Sequence, residues 1–103
     1  MGRRVSVTTV SVLSAVARGV QYGFDVIDAT GLASGTVYPI LSRLERDGLV
    51  QSTWENDVRA HAEGRPARRY YRVTRAGRAA LDEATAQYQA LMPALGRPAR
   101  PKP

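Results

Sequence analysis

No cysteine occurs among the 103 residues, which excludes a disulfide scaffold, a zinc finger of the usual type and a thiol nucleophile. Histidine occurs once, at His61, and a lone His without Cys or a second His does not make a metal site. No run approaches the roughly 18 apolar residues of a membrane span, so no membrane partner is expected. The acidic residues show no spacing that suggests a general acid and base, and no nucleophile stands with a base. With no phosphate-binding glycine loop either, the chain reads as neither an enzyme nor a cofactor carrier. Its length fits one small domain, and a chain of this size has a thin core, so a homodimer is expected before a monomer.

What is present is basic charge. Fifteen basic residues against nine acidic ones give a net charge of +6, which points to an anionic partner. Residues 59–78 hold seven arginines, Arg59, Arg65, Arg68, Arg69, Arg72, Arg75 and Arg78, against the single acid Glu63. The rest of the chain is balanced, so the whole excess lies in this stretch. Arginine is also the better bidentate partner for phosphate and guanine.

Two N-terminal patterns imitate targeting signals. Arg3 and Arg4 before the mostly apolar run 5–17 resemble a secretory leader, but five hydroxyl side chains make that run too polar. Met1-Gly2 with Ser6 matches a myristoylation pattern only weakly. The chain is therefore expected to be cytoplasmic. Within the same run, Val5, Val7, Val10 and Val12 favour a strand, whereas Val10, Leu13, Val16 and Ala17 recur at helical spacing. Local propensity leans toward strand before Ser11.

Residues 24–30 form a short expected helix with Phe24 and Ile27 facing inward, stopped by Gly31. A stronger helix covers about 35–47, with Ser34 as N-cap, a stripe of Val37, Ile40, Leu41 and Leu44, and a stop at Gly48. Pro39 makes its start irregular without breaking it. Gly35, Pro39, Ser42 and Arg46 lie opposite the stripe, flanked by Thr36, Tyr38 and Arg43.

Residues 49–55 alternate, with Val50, Ser52 and Trp54 on one face, and Trp54 is read as a packing residue. Residues 70–74 alternate as well, so one of Tyr70 and Tyr71 belongs to the core. The pair reads as a hairpin joined by a long, partly basic loop. Thr74 caps a last helix whose stripe is Leu81, Ala84, Tyr88, Leu91 or Met92, and Leu95, with Pro93 expected to end its regular part. Asp25, Asp28, Glu45 and Asp47 read as solvated helix charges. Residues 93–103, with Arg97, Arg100 and Lys102, form an expected flexible basic tail.

Three helices, a hairpin and a fourth helix give the order of a winged helix-turn-helix: mainly α with a small β-hairpin. In that layout the third helix enters the major groove of double-stranded DNA and the wing lays basic side chains on the backbone. Residues 1–74 would be the DNA-binding domain and 75–92 a dimerisation helix. Ser34, Thr36, Tyr38, Pro39, Ser42, Arg43 and Arg46, with Arg65, Arg68 and Arg69 of the wing, are the expected DNA contacts.

Tyr22-Gly23, then Gly35-Thr36-Val37-Tyr38-Pro39-Ile40-Leu41 with Arg43-Leu44-Glu45 and Gly48-Leu49-Val50, then Arg69 through Gly77, resemble the PadR family of bacterial transcriptional regulators. The resemblance covers about residues 20–81 and favours helix for the N-terminal run. It implies a repressor that dimerises through its first and last helices and often answers a small-molecule effector. Val10, Leu13, Leu81, Ala84, Tyr88 and Leu91 would then form the dimer face. A single C-terminal helix marks a short member. The alternative is a winged-helix protein-interaction module, which would not need an outward Ser42, Arg43 and Arg46.

Overall fold

Ser6 opens the first helix by accepting the Thr9 N–H at 3.2 Å, and α1 (Val7–Ala17) follows. The computed structural model describes residues 6–95, so the Met1-Gly2 and Arg3-Arg4 patterns and residues 96–103 lie outside the described residues. The run that locally favours strand is thus helical. Val12, Leu13 and Val16 share a helix face and are all buried, each worth about 1.5–3 kcal/mol. A valine costs a helix only about 0.7 kcal/mol or less, so burial outweighs propensity.

The next helix, α2 (Gly23–Thr30), ends at Gly31, whose φ of 72° lies in the left-handed region that glycine enters freely. Its buried positions are Gly23 and Val26, while Ile27 is half-buried. Phe24, expected to face inward, is 71% exposed. One residue turns a helix by about 100°, so with Gly23 and Val26 inward, Phe24 must point away.

The third helix, α3 (Ser34–Arg46), starts one residue before its expected position. Ala33, not Ser34, is the N-cap: its backbone is extended, and it makes no side-chain cap bond. Ser34 is therefore the first helical residue and exposed. Val37, Leu41 and Leu44 are buried, and Pro39 sits inside the helix, which continues through it.

Strands β1 (Val50–Trp54) and β2 (Arg69–Val73) pair antiparallel, with Val50 opposite Val73, Ser52 opposite Tyr71 and Trp54 opposite Arg69. Tyr71 is the core tyrosine, and its N–H donates to the Gln21 carbonyl at 2.7 Å, tying β2 to the start of α2. Alternation puts Trp54 on the face of Val50, yet Val50 is buried and Trp54 is 67% exposed. Trp54 lies at the outer end of the strand, where it lines an open concavity shared with Tyr22 and Tyr38 and is not covered as Val50 is.

The segment between the strands is not all loop. Asn56 accepts the Val58 N–H at 2.8 Å and caps α4 (Asp57–Ala62), which is anchored by the buried Ala60. Asn56-Asp57 and Gly64 were the available start and stop signals. Six residues are too short for a periodic stripe to declare itself.

Thr74 accepts the Gly77 N–H at 3.0 Å and begins α5 (Arg75–Leu95), which runs past Pro93, the residue expected to end it. A proline so near a helix end removes one bond of the last turns and leaves the rest intact. The first half of α5 packs on α1 and β2 inside the monomer. Ala84 and Leu13 are buried there, and Leu81 packs against the same core. These three residues, expected on a dimer face, are therefore held by their own chain.

Candidate nucleic-acid interface

The amphipathic pattern of α3 fixes which side it shows. Burial of Val37, Leu41 and Leu44 turns Ser34, Tyr38, Pro39, Ser42, Arg43 and Arg46 outward, with Thr36 half-buried at the margin. Neither Arg43 nor Arg46 pairs with a carboxylate among the described residues. Tyr38 leans on the start of α2. A Cβ at Gly23 would lie 2.5 Å from its Cε1, so only glycine lets the ring lie there.

Helix and hairpin are clamped together by Glu45. Its carboxylate accepts from the Arg69 guanidinium at 2.9 Å and from the Ser52 hydroxyl at 2.5 Å, while Arg69 Nε also donates to Ser52 Oγ at 2.9 Å. Arg69 lies over the rings of Trp54 and Tyr71 as well, at 5.6 and 5.8 Å from their centroids. Glu45 thus sets the angle between α3 and the wing. The expectation of a merely solvated helix charge does not hold for it.

The base of the wing is organised by Glu55, a side chain that the strand pattern did not single out. It is 5% exposed and receives Arg65 in two bonds, at 2.5 and 2.7 Å. It also accepts the Arg68 backbone N–H at 3.2 Å and the Tyr70 hydroxyl at 3.3 Å. One carboxylate therefore pins both ends of the excursion between the strands.

The Arg65 bonds, opposed by burial and helped by Arg68, hold the Glu55 carboxyl down at about 2 against an ordinary 4.5. Tyr70 is pushed up to about 12, chiefly by its hydrogen bond with Tyr22 and then by burial. The Tyr22 and Tyr70 rings lie with their centroids 4.8 Å apart and their planes tilted by 41°, and the Arg68 guanidinium lies 4.9 Å from the Tyr22 ring centre.

A carboxyl whose pKa is lower folded than unfolded stabilises the fold above its unfolded value and loses that effect as pH falls toward its folded one. Thermal unfolding between pH 6 and pH 2 is the check. The wild-type midpoint should fall between about 4.5 and about 2 as this contribution is lost. Glu55→Gln should start lower at pH 6 and fall less.

The arginine cluster is less free than its sequence suggests. Arg65 is bound by Glu55 and by Glu63 at 3.0 Å, and Arg69 by Glu45, while Arg59 lies 3.8 Å from Glu63. Arg72 donates to Gln51 at 3.2 Å. Arg68, Arg75 and Arg78 have no carboxylate partner among the described residues. No three His, Cys, Asp or Glu side chains converge among the described residues, and no described helix is long and apolar enough to cross a membrane.

A hairpin beside three helices, with the polar face of the third turned out, defines a winged helix-turn-helix regulator. The chain belongs to the transcriptional regulator PadR-like family, whose sequence model matches residues 12–83. This is a family of transcription factors and not of enzymes. The chain is 56% identical over 52 residues to the transcriptional regulator Rv3488 of Mycobacterium tuberculosis; the match spans 50% of this chain and 43% of that protein.

Among solved structures, a PadR family regulator from Eggerthella lenta superposes with a TM-score of 0.70 at 30% identity, covering 85% of this chain and 77% of its own. A PadR family regulator from Clostridium difficile reaches 0.75 at 21% identity, covering 87% and 95%, and shares the fold.

Proposed function

We propose that the protein is a cytoplasmic, sequence-specific DNA-binding repressor that acts as a homodimer on an inverted-repeat operator. The observation that carries this reading is the pairing pattern of the cations. Arg43 and Arg46 on α3 and Arg68 on the wing are exposed without carboxylate partners, while Arg69 and Glu45 fix the two elements together. Arg43 and Arg46 read guanine edges in the major groove, and Arg68 meets backbone phosphate. Ser34, Thr36, Tyr38, Pro39 and Ser42 position the helix. Arg65 and Arg69 act by holding the wing, not by touching phosphate.

The dimer forms through what α1 and α5 leave uncovered. Val7 is 64% exposed and Leu91 39%, with Val10 and Tyr88 half-buried beside them on the same helices. Two-fold symmetry then places two recognition helices on one side of the duplex, about 10 base pairs apart.

Selection of bound fragments from random duplexes tests the reading, and sites with dyad symmetry are expected. A chain that retains no duplex at low salt would instead be a protein-interaction module. Salt titration separates the wing residues. Arg68→Ala should weaken all duplexes alike and, because each protomer of the dimer loses one phosphate contact, make the slope of log K against log salt shallower by about 1.8. An unchanged slope would place the phosphate contact elsewhere.

A further inference from the structure

The pair of Arg69 and Glu45 is made where it does least for the fold. Their side chains are 41% and 34% exposed, and an ion pair so open to water contributes little to stability. Even so, four side chains hold the guanidinium. It donates from Nη2 to Glu45 and from Nε to Ser52, and the Ser52 hydroxyl donates in turn to the other Glu45 oxygen. The Trp54 and Tyr71 rings lie beneath it, with centroids at 5.6 and 5.8 Å.

The same guanidinium stands beside groups that the reading above assigns to DNA. Arg69 borders one concavity with Tyr38 of α3 and Arg68 of the wing. Arg68 has no carboxylate partner among the described residues, whereas its chain neighbour Arg69 does. An arginine left without a counter-charge at that place would take phosphate on any duplex, because phosphate contacts carry no sequence information. Glu45 offers the guanidinium an internal carboxylate in place of that phosphate. Glu55 does the same for Arg65, but it is buried and also bonds Arg68 and Tyr70, so its loss would reach the fold.

We propose that Glu45 is a specificity-determining residue: it withholds Arg69 from the DNA backbone and ties the wing to α3, so that the wing meets phosphate only where α3 is seated in its operator. The proposal rests on the DNA-binding reading above. Removing the carboxylate is then a gain for random DNA. A released Arg69 adds one sequence-independent contact per protomer, and a wing no longer tied to α3 follows the backbone of any duplex. On the operator, loss of the preformed angle between α3 and the wing offsets that gain.

The test is a double-mutant cycle of Glu45→Gln and Arg69→Ala in the full chain, read as affinity against salt on a random duplex and on the selected operator. Glutamine keeps the shape of Glu45 and leaves Ser52 an acceptor, so the unfolding midpoint should hold. Glu45→Gln should bind the random duplex more tightly than the wild type. Its slope of log K against log salt should steepen by about 1.8, one added contact on each protomer of the dimer, so its advantage shrinks about tenfold from about 50 to about 200 mM salt. The ratio of operator to random affinity should fall by roughly threefold to tenfold. Arg69→Ala alone should leave the slope at its wild-type value, and adding Glu45→Gln to it should leave the slope there. This last comparison separates release of Arg69 from the mere removal of a negative charge, which would act in both backgrounds.

An unchanged or shallower slope in Glu45→Gln overturns the proposal. So does an equal gain in the Arg69→Ala background, or an operator-to-random ratio that stays at its wild-type value. A steep fall in the Glu45→Gln midpoint would make Glu45 a residue of the fold and overturn it as well. A wild-type chain with no duplex affinity overturns the DNA reading and the proposal with it, whereas wild-type binding without the expected cycle overturns the proposal alone.

Discussion

Replacing Arg43 and Arg46 together by alanine is expected to erase most of the preference for the selected operator while leaving the fold intact. Both side chains are exposed on α3 and make no ion pair among the described residues, so their removal leaves no buried charge behind. Each bidentate arginine–guanine pair discriminates by about 1–3 kcal/mol, and a two-fold dimer makes every contact twice. Even at the low end, four contacts amount to roughly a thousandfold in the ratio of operator to random duplex. Competition binding against both duplexes at one salt concentration measures that ratio. Non-specific affinity, carried by wing phosphate contacts, should change far less. A double variant that keeps the wild-type ratio would remove α3 from sequence reading.

Gly77→Ala is expected to destabilise the protein strongly, against the usual direction of the change. Glycine within a helix generally costs about 0.5–1 kcal/mol relative to alanine, and Gly77 is the third residue of α5. Here a Cβ would run into the carbonyl of Leu49, which is backbone and cannot rotate aside. That carbonyl already accepts the Thr74 N–H at 3.0 Å, and the Thr74 hydroxyl donates to the Gly48 carbonyl at 2.7 Å. Moving α5 outward sacrifices those bonds, at about 0.5–1.5 kcal/mol each, besides an overpacking cost of about 1–3 kcal/mol. The net loss of roughly 2–4 kcal/mol corresponds to a fall in unfolding midpoint of about 10–25 °C. Gly35→Ala is the control. Its Cβ would meet nothing within 4 Å, and its midpoint should hold or rise slightly. Circular dichroism melts of the two variants decide the matter, and a fall of only a few degrees in Gly77→Ala would contradict the docking argument.

The outward face of α3 was legible in the sequence because helix periodicity is local: burying Val37, Leu41 and Leu44 leaves no other side for Ser42, Arg43 and Arg46. The hairpin was legible for the same reason, since period-two alternation needs only neighbours along the chain. Phe24 and Trp54 were misread because periodicity says which residues share a face and not where the core stops. Their exposure follows from what packs around α2 and from the open concavity at the outer end of the hairpin.

The arginine cluster shows the same division more sharply. Counting charges along the chain found Glu63 as its single acid, but two further partners come from outside the window. Glu45 lies 24 positions from Arg69, and Glu55 lies 10 positions from Arg65. By itself, then, the sequence determined the order of elements, the polar face of α3, the local excess of positive charge and the resemblance to one regulator family. Only the tertiary structure decided which arginines hold the wing and which stay free, and which apolar side chains of α1 and α5 belong to the monomer. Ion pairing and burial depend on distances through space, and the chain sets those only when it closes on itself.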